Sequence, residues 1–410
     1  MLDSRRIMQR CDALARHSEL AGGLTRVYLS QEQAAANRLV LGWMREAGMS
    51  ARLDAAGNCV GRYEGDRPGL PALLLGSHLD TVRDAGKYDG MLGVVAAIEC
   101  VHALNANGRR LPFAIETVGF GDEEGVRFNA TLLGSRAVAG TFKPEVLDSV
   151  DADGISMREA MQNFGLDAAR LGAAARRRED VLAYAELHIE QGPVLEADGL
   201  AVGVVTAING ATRFAVEIDG TAGHAGTVPM DLRRDAFAAA AECALAIERR
   251  CASVPVLVGT VGKVEALPGA VNVIPGKARF SIDIRAPEDA MRIAAVEHLL
   301  AEMNAICARR KVAMQVIKTH EGGVAACAPW LMDQIGAAIA AEGIAVRKLP
   351  SGAGHDGMAM IELCDIGMLF VRCEKGISHN PAEAISAADA QTGAQVLLRF
   401  IENFQPKTRA

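Results

Sequence analysis

The sequence predicts an α/β protein: a larger domain with a mixed, mostly parallel sheet flanked by helices, interrupted by a smaller inserted α+β domain. Three observations predict it. Continuous apolar runs that end in polar residues occur at LPALLLGSHLDT (70–81), FAIETVGFGDEE (113–124) and AYAELHIEQG (183–192), the pattern of strands buried on both faces. The first two are separated by MLGVVAAIECVHAL (91–104), which reads as a crossover helix. From about residue 209 the runs give way to alternation, and at about residue 326 the α/β character resumes. With 410 residues the chain is long enough for two domains. The pattern places them at 1–208 plus 326–410, a discontinuous domain, and at 209–325, the insert.

Residues 3–20 and 30–48 read as helices, the second starting after Ser30, a good N-cap, and stopping at Gly48. Strand, helix and strand then follow over 70–124, with polar residues after each strand, which puts a site at the strand C-termini. In the insert, Arg213–Asp219 alternates with Phe214, Val216 and Ile218 on one face. A helix at 231–250, a strand over Val256–Val264, an alternating strand Ala278–Arg285, a helix at 287–309 and a strand at 311–319 complete it. The order β-α-β-β-α-β is that of a ferredoxin-like sandwich with one wet sheet face. A helix from Pro329 to Glu342 and the strand MLFVRC (368–373) return to the first domain.

Half the residues are apolar and 23% are charged, so a large core can form and long disordered tracts are not expected. Lys and Arg number 43 against 50 Asp and Glu, a net charge of −7 with no basic block, which disfavours nucleic-acid and anionic-membrane partners. Aromatics at 4% also argue against base-stacking platforms. No apolar leader core and no run of 18 uncharged apolar residues is present, so neither export nor a membrane span is expected. The nine cysteines are scattered without a CxxC pair and read as reduced thiols of a cytoplasmic protein.

Four of the nine histidines stand in Gly-rich or polar turns: His78 in GSHLDT, His188 in HIEQG, His224 in GTAGHAGT and His379 in GISHNPAE. Asp89 in KYDGMLG and the pair Glu123–Glu124 in GDEEG lie between the first two. A lone histidine at a strand end is ordinarily a structural hydrogen-bonder, and a lone DEE is usually a solvated loop. Their joint occurrence at strand ends is what points to chemistry. Imidazole and carboxylate donors without cysteine suit two divalent cations bridged by one carboxylate, with zinc, manganese, cobalt or nickel as candidates. Such a pair acidifies a shared water and polarises a carbonyl. Adjacent residues leaving a strand point in different directions, so one Glu of the doublet can ligate and the other can act as base. No GxGxxG occurs at 125–135 and no GxSxG elbow appears, which excludes the dinucleotide and serine-hydrolase patterns. No cysteine has a base in motif context, so a thiol nucleophile is not expected.

The motifs GSHLDTV, KYDGMLGV, GDEEGVRF, HIEQGPVLE, GHAGTVPM, VNVIPGKARFSIDIR, SGAGHDGMAM and GISHNPAE, in this order, resemble the M20-type metal-dependent amidohydrolases. The resemblance is to the hydantoinase/carbamoylase subgroup, which holds N-carbamoyl-L-amino acid hydrolases, β-ureidopropionases and allantoate amidohydrolases. It extends from about residue 20 to 400. It implies that His78, Asp89 and His188 hold one metal and Asp89, Glu124 and His379 the other, with zinc first among the candidates. It implies that Asp80 orients the His78 ring and that Glu123 is the general base. Gln191, His224, Asn272 and Arg285 match substrate-contacting positions, and the backbone of SGAGHDG, with Gly354 and His355, is a candidate substrate cradle; a structural turn serves equally well there. Arg285 could clamp a carboxylate or be a surface charge, and His224 could donate to an oxyanion or stabilise its turn. The resemblance further implies a homodimer through the inserted lid domain, with His224 and Asn272 reaching the neighbouring site.

The implied activity is hydrolysis of a linear ureido or N-carbamoyl C–N bond in a small carboxylate substrate, with release of ammonia. GMLFVRCEKGISHNPAE and SGAGHDGMAM stand somewhat nearer to allantoate amidohydrolases than to carbamoylases. The alternative within the superfamily is a metallopeptidase or aminoacylase, which usually places a carboxylate where His188 stands. A non-catalytic scaffold is disfavoured because every implied ligand and the base are present.

Overall fold

The computed structural model describes residues 2–407. They form two compact units. The first runs to Thr206, resumes over Cys327–Leu349 and again from Ala353; the second is Ala207–Ala326 with Pro350–Gly352. In chain order the main strands are β1 (Ser50–Leu53), β2 (Cys59–Tyr63), β3 (Ala72–His78), β4 (Ala114–Phe120), β5 (Val181–Ile189), β6 (Val202–Ile208), β7 (Gly210–Asp219), β8 (Val258–Thr260), β9 (Val264–Leu267), β10 (Lys277–Ala286), β11 (Ala313–Gly322) and β12 (Ile366–Val371). The main helices are α1 (Ser4–Ala15), α2 (Gln31–Glu46), α3 (Met91–Ala106), α4 (Ala236–Ala252), α5 (Asp289–Arg310), α6 (Pro329–Ala341) and α7 (Ala387–Asn403).

The first unit is built on a mixed sheet with the path β1-β2-β4-β3-β5-β12-β6. Its centre is parallel, through the pairs β3–β4, β3–β5 and β5–β12, and its flanks are antiparallel. Every residue of β3, β4 and β12 is buried, as their uninterrupted apolar runs require. Helix α3 is apolar on nearly all sides and packs between the sheet and α1 and α7. Leu73, Leu75, Ile115 and Leu187 share one core with it, and each such side chain contributes roughly 1.5–3 kcal/mol on burial. The C-terminal ends of β3, β4, β5 and β12 converge, so the polar residues that follow each of them meet.

Several boundaries differ from the sequence expectation, each for a visible reason. The first helix ends at Ala15 rather than near residue 20, because the fully buried Arg26 guanidinium takes the carbonyls of Leu14 (2.7 Å) and His17 (3.0 Å). The same side chain donates to Leu79 O at 2.8 Å, bracing the turn after β3. Helix α2 starts as expected, with Ser30 Oγ accepting from Gln33 N at 3.0 Å. Strands β1, β2 and β6 carry no clear period and were not expected. Residues Tyr28, Leu29, Phe128, Leu133, Met157 and Met161 make a satellite core that sequence patterning does not reveal. Pro350–Gly352 belongs to the second unit, where Ser351 O accepts from Asn209 N (2.9 Å) and Gly352 O from Arg285 Nη1 (2.7 Å).

The second unit is a five-stranded antiparallel sheet in the order β9-β10-β7-β11, with β8 also on β10. One face carries Phe214, Val216, Ile218, Phe280, Ile282 and Ile284 against α4 and α5, and the alternate residues face away. The strand expected over Val256–Val264 is two short strands, β8 and β9, interrupted where Ser281 Oγ accepts from Lys263 N at 3.0 Å.

Candidate metal centre

Two imidazoles stand on strand ends. His78 closes β3, and its Nδ1 lies 3.0 Å from the Asp80 carbonyl oxygen. His188 lies one residue from the end of β5, with Nδ1 2.9 Å from Ile189 O. A carbonyl only accepts, so each ring carries a proton on Nδ1, and Nε2 is the nitrogen left to face a cation. Gly90 N donates to His188 Nε2 at 3.2 Å, which agrees. The two Nε2 atoms converge on Asp89 Oδ1, at 3.3 Å from His78 and 3.1 Å from His188. Gly90 permits this approach: it has φ of 74°, and a Cβ there would lie 2.5 Å from His78 Nε2.

The second oxygen of Asp89 serves another group. His379 Nε2 lies 3.4 Å from Asp89 Oδ2 and 3.5 Å from Glu124 Oε1. His379 is on a loop after β12, has φ of 53°, and its side chain is 50% exposed, against 1–2% for His188 and His78. In each of the sets His78/Asp89/His188 and Asp89/Glu124/His379, one donor atom per residue lies within 4.8 Å of the others. Glu123, Glu124 and His78 form a third such set.

The charges do not balance within the protein. Burial disfavours charge on Asp89, but His188 and His78 outweigh it and hold the carboxyl well below the usual carboxylate range. Burial opposes charge on His78 and His188, but the carboxylates of Asp80 and Asp89 at the first and Asp89 at the second raise both rings. Glu123 is pushed up to about 8 by burial and by Asp356, Asp80 and Asp89 around it. Glu124 is pushed up to about 9 by burial and by Glu123. Carboxyls packed this closely in a low-dielectric site favour added cations. Inward Nε2 atoms on two imidazoles, a carboxylate with its oxygens divided between two donor groups, and this excess of acid fit two divalent metal ions.

Asp80 stands beside the His78 ring and also reaches the acidic doublet. Its carboxylate accepts from Glu123 N (2.9 Å) and Glu124 N (3.1 Å) and stands 3.6 Å from His78 Nδ1. The His78 ring is held more closely by the Asp80 main chain, while the Asp80 carboxylate pins the acidic doublet. Gln191 has φ of 56° and donates from Nε2 to Asp89 Oδ2 (2.9 Å) and to Ser378 Oγ (3.1 Å). Gly354 lies against Glu123: a Cβ there would be 3.3 Å from Glu123 Oε1. The His355 ring is fully buried, edge-on to His188 with centroids 4.4 Å apart, and burial holds it well below its usual pKa.

His224, Asn272 and Arg285 lie in the second unit. His224 and Asn272 are exposed neighbours on a short ribbon, with Ala225 N donating to Asn272 O at 2.9 Å and His224 paired with Val273. Arg285 is not a free fork. Its Nε and Nη2 already grip Asp283 at 3.1 and 2.8 Å, and Nη1 donates to Gly352 O.

Some site residues escaped the sequence reading. Glu186, two residues before His188 and so on the same strand face, accepts from Ser77 Oγ (2.7 Å) and Tyr184 OH (3.0 Å). Glu383 is 4% exposed, and burial and Asp89 push it up to about 7. The first is signalled by strand alternation and the second by its place within GISHNPAE.

A profile of peptidase family M20/M25/M40 matches residues 74–403. The chain is 42% identical to an N-carbamoyl-L-amino acid amidohydrolase of Geobacillus stearothermophilus over 402 residues, covering 98% of both. It is 38% identical to an allantoate deiminase of Arabidopsis thaliana over 428 aligned residues, covering 96% of this chain and 81% of that one. Among solved structures it resembles an amidase of the hydantoinase/carbamoylase family from Burkholderia multivorans, with TM-score 0.92, 31% identity and coverage of 98% and 97%.

Proposed function

The chain belongs to peptidase family M20/M25/M40, and from that premise we propose that it hydrolyses the linear ureido C–N bond of a small carboxylate substrate such as allantoate or an N-carbamoyl-L-amino acid, releasing ammonia. The observation that carries the reading is the division of Asp89 between two donor groups, with Glu123 beside them. We assign His78, Asp89 and His188 to one divalent ion and Asp89, Glu124 and His379 to the other. Zinc suits these nitrogen and oxygen donors, and manganese, cobalt and nickel are further candidates. Such ions acidify water and polarise a carbonyl oxygen.

The protein's own groups do the rest. Glu123 takes a proton from the attacking water as its oxygen adds to the ureido carbon. It returns that proton to the leaving nitrogen as the C–N bond breaks. A carboxyl within reach of both the water and the leaving nitrogen can serve both halves of that task. Gln191 and the Gly354 backbone orient the ureido group, and Asp80 fixes the backbone of the acidic doublet; His224 and Asn272 of the second unit are the candidates to donate to a neighbouring subunit's substrate. Arg285, held in place by Asp283 and Gly352 O, is the candidate to receive the substrate carboxylate.

The quaternary reading is a homodimer through the second unit, whose strands expose Val258, Val264 and Ile317. Nine free cysteines suit a reducing, cytoplasmic setting. No helix among the described residues is long and apolar enough to cross a membrane.

Ammonia release from allantoate, N-carbamoyl-alanine, N-carbamoyl-methionine, 3-ureidopropionate and ureidoglycolate, with metal-depleted protein as control, tests the reading. Turnover of at least one substrate, abolished by metal removal, is expected. Rapid cleavage of dipeptides with no ammonia from any ureido compound would overturn it.

A further inference from the structure

Asp89 and His379 stand on loops with no ladder of their own. Asp89 lies between β3 and α3, and His379 between β12 and α7. One side chain joins the two loops. Glu383 Oε1 accepts from Tyr88 N at 2.8 Å and Asp89 N at 3.2 Å. Its Oε2 lies 3.2 Å from the hydroxyl of Ser378, the residue before His379. That hydroxyl is also 3.0 Å from Asp89 Oδ2, so it can donate to either carboxylate. Gly86 lets the first loop close directly on this group: a Cβ there would be 2.2 Å from Glu383 Cδ.

Resting on the dimetal reading, we infer that Glu383 is a positioning residue that holds the Asp89 loop and the Ser378–His379 segment in one register and so sets the affinity of the position formed by Asp89, Glu124 and His379. The other position depends less on it. His78 and His188 are fixed by strands and by carbonyl bonds of 3.0 and 2.9 Å. An aliphatic side chain at 383 leaves the amides of Tyr88 and Asp89 buried without their acceptor and frees the segment that carries His379. Loss of such a supporting partner weakens metal binding about 10–100-fold.

The test is a competitive titration of the metal-depleted full chain with Zn²⁺ against a chromophoric chelator, which reads affinities without turnover. The unaltered protein is expected to show two binding steps. Glu383→Ala should keep the tighter step and weaken the other about 10–100-fold. Glu383→Gln should be near the parent, because its amide oxygen still accepts both N–H groups and its amino group donates to Ser378 Oγ. Ser378→Ala, which removes the hydroxyl that meets Glu383, Asp89 and Gln191 just ahead of His379, should shift the weaker step in the same direction, and an unchanged weaker step there overturns the inference if Glu383→Ala does not fold. Fewer than two steps in the unaltered protein would sink the dimetal reading itself. Two steps there, with both unchanged or both equally weakened in Glu383→Ala, overturn this inference alone. A Gln variant as weak as the Ala variant also overturns it, since acceptor geometry would then not be the cause.

Discussion

The two halves of the centre are built differently. One imidazole pair sits on β3 and β5, is almost wholly buried, and has each Nδ1 satisfied by a carbonyl. The other half relies on His379, half exposed, on a loop, in a left-handed conformation. Ligands on strands inherit their placement from the ladder, whose bonds are already made for the fold. Ligands on loops need side-chain ties made for that purpose alone. The first half is therefore rigid by construction, and the second is adjustable.

Glu123 lies against both halves, so its removal should have the largest effect and distinguish neither. Glu123→Gln is expected to lower kcat by about 10²–10⁴-fold while both metal steps persist in titration. Undiminished turnover would remove Glu123 from the mechanism. The paired variants His188→Ala and His379→Ala test the asymmetry itself. His188→Ala should lose the tighter step and lower Tm, because it leaves buried Asp89 without one of its imidazoles. His379→Ala should lose only the weaker step with Tm nearly unchanged. Equal losses of stability would abolish the distinction between strand-borne and loop-borne ligands.

The smallest effect concerns pH. The folded-state pKa values of Glu123 and Glu124 are raised to about 8 and about 9 by burial and by the carboxylates around them. A carboxyl raised on folding is neutral in the native state while already ionised in the unfolded one. Their contribution to the stability of the metal-free protein is therefore fullest below about pH 4.5 and is lost as pH rises through those values. Cations should cancel this. Thermal scans at pH 6 and pH 9, with and without chelator, should show the gap in Tm widening at pH 9, by on the order of 5 °C. A gap independent of pH would argue that the acids are not the groups the cations relieve.

The sequence exposes the strand-borne half more readily than the loop-borne one. His78 and His188 end continuous apolar runs, and Asp89 precedes an apolar helix, so local pattern and motif coincide. Strands β1, β2 and β6 are less legible because two are short and none has a clear period of its own. The attachment of Pro350–Gly352 to the second unit is a contact between distant segments, which no local pattern records. The grip of Arg285 on Asp283 was open to inference, since residues two apart share a strand face, but which carboxylate an arginine takes depends on its surroundings. Glu383 was in plain view inside a motif; its role appears only once the Asp89 loop folds onto it.

Arg26 gives the amino-terminal helix a consequence for protein engineering. Its guanidinium is the common fastening of the end of α1 and the turn that carries His78 and Asp80. Trimming the first twenty residues would strip two carbonyls from a fully enclosed positive group, and each donor left bare in this way costs about 1–3 kcal/mol. The damage would pass through the Arg26 bond to Leu79 O into the turn next to His78, so a shortened version made for crystallisation or immobilisation should lose metal affinity as well as stability.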